Sequence, residues 1–309
     1  MITIYKTGER GLEMLAEVTK GCWINVIDPT PEEITWLQEL SVPPEFILYP
    51  LDVDERARVE REDGNVLIVA RVPAAETPQA DVPFTTHAMG IVLTSQHIVT
   101  ISKRDNEILQ ELTRGRTRDL STAKRNRFIL RLLLNTAAKY LSYLREINRA
   151  VDLLEDQLQM SLRNRELLAL LKYQKSLVYF TTALKSNELM MERLQRNQHF
   201  AAYPDDSDLL EDVLTENQQA IEMTNIASNI LSSMMDAFAS IISNNMNTVM
   251  KFLAAMTIVL TLPVLVASLY GMNVQLPLQE WPYAFAVVIV ASVGLAALVA
   301  RIFIRRDWM

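Results

Sequence analysis

In the first 115 positions apolar residues recur with a period of two or in short unbroken runs, as is typical of β-strands. The sequence Thr30-Pro31-Glu32-Glu33 predicts a helix start, because Thr30 can cap, Pro31 suits the first helical position and Glu33 completes a capping box. The proline-rich segment from Pro73 to Pro83 predicts a loop. Residues 1–115 are therefore expected to form an α/β domain with strands at Ile2–Tyr5, Trp23–Ile27, Val66–Val72, Ala88–Leu93 and Ile98–Ile101.

Beyond Gly115 the pattern becomes helical. No glycine occurs between Gly115 and Gly271, and Pro204 and Pro263 are the only prolines in that interval. Helical periodicity runs from Thr122 to Met160, from Arg165 to Arg196, and from Ser207 onward without a stop. Because these runs far exceed the usual helix length of about 11–12 residues, we expect a stalk of long antiparallel helices over residues 116–250.

Two apolar segments close the sequence, and neither Phe252–Gln279 nor Trp281–Ala300 contains a charged residue. Each holds an apolar stretch of about 18–21 residues, enough to cross a hydrocarbon core of about 30 Å. We therefore predict transmembrane helices at 251–273 and 283–302, an external loop at 274–282 and a basic tail at 303–309.

Charge placement predicts the orientation in the membrane. The loop between the two spans has no Lys or Arg, whereas Lys251 precedes the first span and Arg301, Arg305 and Arg306 follow the second. Since positive residues stay inside and the N-terminus lacks the apolar core of a signal peptide, both termini are expected in the cytoplasm. The single cysteine, Cys22, excludes an intrachain disulfide and fits a reducing compartment. The sequence predicts a multi-pass protein of the cell membrane.

Composition and motifs argue against several other functions. The net charge of −7 argues against nucleic acid as a partner. The sequence has no Walker A, G-x-G-x-x-G or H-E-x-x-H motif, so neither an enzyme nor an organic cofactor is expected. The three histidines, His87, His97 and His199, are scattered, and His87 and His97 are interpreted as structural residues beside strands. Without a Cys/His cluster, a soft-metal site is not supported.

The last long helix carries a polar stripe, which continues at steps of three or four residues into the first apolar segment. A solvated helix face is the ordinary explanation of such a stripe, but a lipid-facing polar row would be unfavourable. Several copies around an axis could instead enclose it as a water-filled pore, which predicts a cyclic homo-oligomer. The stripe comprises Glu222, Asn225, Asn229, Ser232, Asp236, Ser240, Ser243, Asn247, Met250, Ala254, Thr257, Thr261, Val264 and Ser268, with Asn273 where the helix should end.

The lining chemistry suits a hydrated hard cation. Uncharged oxygens can hydrogen-bond hydration water, and Mg²⁺ dehydrates reluctantly. Rings of Met250 and Leu253 could act as apolar constrictions that gate by dewetting. A membrane potential of 100 mV would supply about 2.3 kcal/mol per charge, or roughly 4.6 kcal/mol for a divalent ion.

Tyr270-Gly271-Met272-Asn273, placed between two C-terminal spans after a long helix, resembles the signature of the CorA family of magnesium transport proteins. The stretches SNNMNTVMKFL, RIFIRRDWM and LDVDERARVEREDGNVLIV extend the resemblance over essentially the whole chain. It implies a homopentamer with a cytoplasmic funnel, embedded in the lipid bilayer and transporting Mg²⁺, with Co²⁺ and Ni²⁺ as further candidates.

The resemblance also assigns roles to individual residues. A ring of Asn273 would receive hydrated Mg²⁺ at the external mouth, with Gly271 permitting a tight turn before Met272. The inner pore asparagine falls on Asn247 and a stalk aspartate ring on Asp236. The hydrophobic gate falls on Met250 and Leu253.

A regulatory Mg²⁺ site between cytoplasmic domains is also implied, with its stalk half at Asp212. Its partner carboxylate would fall near Tyr49-Pro50, where this sequence has no acid. Asp52 or Asp54 is then the expected substitute, or the site is weak.

Two alternatives remain open at the level of sequence. One is a zinc transporter of the related ZntB branch, which the sparse histidines disfavour and which competition between Zn²⁺ and Mg²⁺ uptake would distinguish. The other is a membrane-anchored sensor or scaffold, which predicts no ion flux and no loss of function when Thr257 or Thr261 is made bulky.

Overall fold

The computed structural model describes residues 1–8, 11–77, 80–114, 120–160, 164–196, 204–274, 276–277, 281–306 and 308. Its strands are β1 (Ile2–Gly8), β2 (Gly11–Leu15), β3 (Trp23–Ile27), β4 (Arg58–Glu62), β5 (Asn65–Ala75), β6 (Phe84–Leu93) and β7 (Ile98–Ser102). Its helices are α1 (Pro31–Glu39), α2 (Pro44–Leu48), α3 (Glu107–Thr113), α4 (Arg125–Met160), α5 (Asn164–Gln195), α6 (Pro204–Tyr270) and α7 (Ala284–Arg305), with a 3₁₀ turn at Tyr49–Leu51.

The seven strands form one sheet in the order β2-β1-β3-β7-β6-β5-β4. β3 and β7 pair in parallel, and every other neighbouring pair of strands is antiparallel. The five predicted strands are confirmed as β1, β3, β5, β6 and β7, and each has at least the predicted length.

Both faces of the sheet are covered, so its central strands are apolar on both sides. On β3, Trp23 joins the hydrophobic cluster formed with α4, α5 and the start of α6, whereas Ile24 joins the cluster formed with α1 and α2. On β5, Ile68 and Val69 divide between the two clusters in the same way. The alternation of side chains along a strand therefore places the sheet between two helical layers.

One glycine in the sheet is fixed by packing. A Cβ atom built on Gly90 of β6 would lie 2.2 Å from Cγ of Pro50. Only glycine lets the 3₁₀ turn approach β6 this closely, because any side chain would displace the proline ring.

The sequence analysis missed strands β2 and β4, and these are the two edge strands of the sheet. Their residues are partly or fully exposed, so neither strand shows the apolar pattern from which the others were predicted. The sequence analysis was also wrong at Pro73–Ala75, which continue β5 rather than begin a loop. Pro73 is tolerated in β5 because β4 pairs with β5 only as far as Val69. The N–H that proline lacks would therefore have had no partner in β4.

The local signals for helices are confirmed. Glu33 N–H donates to Thr30 Oγ1 and Thr30 N–H donates to the Glu33 carboxylate, which completes the predicted capping box at α1. The three long helical runs correspond to α4, α5 and α6. Arg127 near the start of α4 holds the start of α6, with its guanidinium 2.9 Å from Asp206 Oδ1 and 3.1 Å from Asp205 Oδ2.

The chain divides into two compact units, Met1–Met234 and Met235–Met309. The first unit contains the sheet, α1 to α5 and the first part of α6. The second contains the rest of α6, with the first apolar segment, and α7. The fold class is the expected one: an α/β sheet domain, long helices and two C-terminal apolar helices.

Candidate ion-conduction site

Two helices are long and apolar enough to cross a membrane. The apolar windows of α6 and α7 have mean hydropathies of 2.4 and 2.6, and only 6% of each window is buried within the chain. A core helix of a soluble protein would bury most of such a window. The apolar surfaces of both helices are therefore free to contact lipid or further copies of the chain.

The first span ends at the Gly-Met-Asn motif in a tightened last turn. Gly271 N–H donates to the carbonyls of Ala267, at 2.9 Å, and Ser268, at 3.2 Å. Gly271 does not have a positive φ, unlike Gly11 and Gly21. The helix thus ends by shifting toward i→i+3 hydrogen bonds rather than through a left-handed glycine. Asn273 follows two residues later and is exposed.

Aromatic groups lie on both sides of the connection between the two spans. The Tyr270 hydroxyl donates to the carbonyl of Pro277 at 3.4 Å. This hydrogen bond connects the last residue of α6 to the segment that follows the helix. Trp281 and Tyr283, just before α7, have ring centroids 5.9 Å apart in an edge-to-face arrangement. Tyr and Trp residues at the ends of apolar helices are typical of a membrane–water interface.

The predicted pore residues of the second unit are all exposed in the single chain. Met250 is 61% exposed and Leu253 is 57% exposed, although both are large apolar side chains. The stripe is interrupted in the first unit, where Ser232 accepts a hydrogen bond from Gln174 Nε2 of α5 at 3.0 Å. The exposed set comprises Asp236, Asn247, Met250, Leu253, Ala254, Thr257, Thr261, Ser268, Gly271, Met272 and Asn273.

Two threonines in the span have a defined hydroxyl orientation. Thr257 Oγ1 donates to the carbonyl of Leu253 at 2.8 Å, and Thr261 Oγ1 donates to the carbonyl of Thr257 at 2.6 Å. Each hydroxyl proton is therefore used within the helix, and the oxygen presents its lone pairs outward. The sequence analysis placed these residues on the stripe but did not predict that they present acceptors only.

The predicted regulatory carboxylates do not form a metal site within one chain. Asp212 is exposed on α6, and Asp52 Oδ1 accepts from the N–H of Asp54 at 3.0 Å. Among the residues that the structure describes, no three His, Cys, Asp or Glu side chains are grouped to hold a metal ion.

Two of the histidines have neighbours in the first unit, and His199 lies outside the described residues. His87 Nε2 lies 3.5 Å from the Glu76 carboxylate, and His97 Nδ1 lies 3.4 Å from the buried Cys22 thiol. Burial lowers the pKa of both imidazoles. Burial also raises the pKa of the Cys22 thiol.

Comparison with known proteins identifies the family. The model of the CorA-like Mg²⁺ transporter proteins matches residues 19–306. The chain belongs to this family. CorA-family members are membrane proteins that transport divalent cations, and this agrees with the two apolar helices and with the absence of enzyme motifs.

The chain is similar to the cobalt/magnesium transport protein CorA of Methanocaldococcus jannaschii, with 28% identity over 93% of this chain and 91% of that protein. The complete structure of the CorA magnesium transporter from that organism covers 100% of this chain and 99% of its own, with a TM-score of 0.87 at 24% identity. The ZntB cytoplasmic domain of Vibrio parahaemolyticus shares the fold at a TM-score of 0.61 and 12% identity, covering 78% of this chain and 98% of its own.

Proposed function

We propose that this CorA-family protein is a homopentameric channel through which the membrane potential drives Mg²⁺ into the cell. The observation that carries the proposal is the exposed polar stripe of α6, which runs into a charge-free span and ends at Gly271-Met272-Asn273. We expect Co²⁺ and Ni²⁺ to share the same path. Both termini would lie in the cytoplasm, because the basic residues stand at the ends of the spans away from the loop.

The need for several copies follows from the chemistry of the span. A single chain leaves Thr257, Thr261 and Ser268 exposed on a helix that must contact hydrocarbon. Copies of α6 arranged around an axis would turn these groups toward water and leave apolar side chains for lipid and α7. Five copies is the number that the family resemblance implies.

The orientation of the threonine hydroxyls supports a hydrated cation as the cargo. Water bound to Mg²⁺ directs its hydrogens outward, so the hydration shell needs acceptors on the pore wall. Thr257 and Thr261 would offer lone pairs because their protons are already donated to carbonyls of the same helix. Rings of Asn273 and Asn247 would contribute carboxamide oxygens at the two ends of the span.

Regulation by internal Mg²⁺ is proposed to require two neighbouring copies. Asp212 of one copy would face Asp52 or Asp54 of the next, since the described residues of one chain supply no group of three ligands. A site with so few carboxylates would bind Mg²⁺ weakly and sense it at high concentration.

The mouth assignment is tested by Mg²⁺ uptake into proteoliposomes under an inside-negative potential. Asn273→Ala is expected to abolish most of the flux, whereas Asn245→Ala, an exposed stalk asparagine on the opposite side of α6 from Asn247, should leave it unchanged. Wild-type uptake by the Asn273→Ala protein would refute the assignment.

The same vesicles decide between the remaining functions. Zn²⁺ taken up in preference to Mg²⁺ would place the protein with zinc transporters, and an absence of flux for every divalent ion would indicate a sensor or scaffold.

A further inference from the structure

The cytoplasmic α/β unit contains a cavity of about 700 Å³ that is separate from the proposed pore. It lies between the segment 54–57, strands β5 and β6, and helix α5. Small-molecule sites in proteins have volumes of about 300–1,000 Å³. The size therefore suits a ligand as large as a nucleotide, and far exceeds what a metal ion requires.

The base of the cavity carries a half-buried cation whose terminal N–H groups are hydrogen-bonded to neutral acceptors of the protein. The Arg71 guanidinium donates to Thr86 O at 2.7 Å, Thr86 Oγ1 at 2.8 Å and Glu55 O at 3.1 Å, and it also bonds the carbonyl of Val53. None of the ion pairs among the described residues involves Arg71. Burial lowers the pKa of this guanidinium, although it stays charged. Although no carboxylate of the described residues forms an ion pair with Arg71, the charges of Asp52, Asp54 and Glu55 act on it from a distance. An anion in the cavity would add to this partial compensation.

The rim adds further positive charge. Arg56, Lys185 and Arg193 line the cavity and are exposed, and within the described part of the chain none of them forms an ion pair. Of the two acids in the lining, Glu55 is bound by Arg58, a cation that does not line the cavity. The lining carries the four cations Arg56, Arg71, Lys185 and Arg193 against the two acids Asp54 and Glu55. Its formal charge is therefore positive, which favours an anionic ligand.

One wall is apolar and belongs to the solvent-facing side of α5. Val178, Tyr179 and Leu189 line the cavity with 57%, 48% and 61% of their surfaces exposed. Apolar side chains grouped beside unpaired cations match a ligand that has an apolar or aromatic body and a charged end.

We propose that this cavity binds a small organic anion with an aromatic or apolar body and a phosphate or carboxylate group. Lys185 and Arg193 would bind the anionic group, Arg71 would attract it from the base through its charge, and the body would lie along Val178, Tyr179 and Leu189. The proposal concerns ligand binding by the cytoplasmic unit and does not depend on ion transport.

The test uses the full-length protein in nanodiscs of neutral phospholipid, in magnesium-free buffer, with calorimetric titration. ADP represents ligands with a phosphate group, and 2-naphthoate represents ligands with a carboxylate group. Adenosine tests the aromatic body without the charge, and inorganic phosphate tests the charge without the body. At least one of the first two should bind saturably and about tenfold more tightly than adenosine and inorganic phosphate do.

Variants on α5 locate the site. Arg193→Gln and Lys185→Gln should each weaken binding by about threefold to tenfold. Arg196→Gln is the control, since Arg196 is exposed one residue beyond the end of α5, pairs with Glu192 and does not line the cavity. Leu189→Glu should abolish binding by repulsion. It leaves the hydrogen bonds of Arg71 in place, so the loss of binding would not be due to a disturbed fold around Arg71.

Three results would overturn the proposal. The first is that neither ADP nor 2-naphthoate saturates the protein below about 1 mM. The second is that Arg193→Gln and Arg196→Gln have equal effects. The third is that a maleimide labels Leu189→Cys in the unfolded protein but not in the folded assembly. The last result would show that a second copy of the chain covers this wall.

Discussion

The carboxamide of Asn187 on α5 pairs with both backbone groups of Arg71 on β5. Its Nδ2 donates to Arg71 O at 2.8 Å, and its Oδ1 accepts from Arg71 N–H at 2.8 Å. Pairing between β4 and β5 stops at Val69, so this side chain takes the place of a neighbouring strand. Asn187 is 1% exposed, and no water reaches these groups to replace the bonds.

Asn187→Ala is therefore expected to destabilise the first unit, Met1–Met234, by about 2–4 kcal/mol, because two buried hydrogen bonds are lost and the N–H of Arg71 is left unsatisfied. Urea unfolding of the detergent-solubilised protein, followed by circular dichroism, measures the effect. Gln195→Ala, at the exposed end of α5, is the control and should change the stability by less than about 0.5 kcal/mol. Equal stabilities for the two variants would contradict the role assigned to Asn187.

The proposed hydrophobic gate predicts a gain of flux. Met250→Asn places a carboxamide on the pore face of α6, so water should remain in the constriction when internal Mg²⁺ is high. Lowering a dewetting barrier by about 1.4 kcal/mol would raise the residual flux on the order of tenfold. Val249→Asn, equally polar but on another side of the helix, should not increase flux. The gate would be located elsewhere if both variants leaked alike.

The acceptor role of the span hydroxyls predicts a specific pattern at Thr261. Thr261→Val keeps the volume but removes the oxygen, and should reduce Mg²⁺ flux by about twofold to tenfold, the equivalent of a net hydrogen bond. Thr261→Ser restores the oxygen and should recover most of the flux. Single-channel or fluorescent-dye uptake measurements compare the three proteins, and a Thr261→Ser protein as slow as Thr261→Val would contradict the role.

The half-buried His87 of β6 predicts a loss of stability in mild acid. Burial, and then the charge of Arg104, lower the pKa of His87 below its ordinary value of 6.5. Because the pKa of His87 is lower in the folded state than in the unfolded state, the unfolded chain takes up the proton more readily. The contribution of neutral His87 to the free energy of unfolding is therefore complete above pH 6.5, and it is lost as the pH falls through the folded-state pKa.

The corresponding variant is His87→Gln, which cannot take up a proton. Thermal unfolding between pH 7 and pH 5 should show a smaller decrease in Tm for His87→Gln than for the wild type. Parallel decreases would indicate that groups other than His87 dominate the acid response.

The sequence by itself determined those features that depend on local periodicity and length. The central strands, the capping box at Thr30 and Glu33, the long helices and the two apolar spans all follow from residues within a few turns of one another. Such signals survive in the sequence because a buried strand or a membrane span must be apolar whatever its neighbours are.

Only the tertiary structure decided the features whose partners are distant along the chain. The edge strands β2 and β4 are fixed by pairing rather than by apolar pattern, and Pro73 is accommodated in β5 because β4 has already ended. Arg71 and Asn187 are 116 residues apart, and nothing in either local sequence indicates that they meet. The cavity beside Arg71 likewise exists because α5 packs against β5 and β6, so its cationic base and its apolar wall arise from packing.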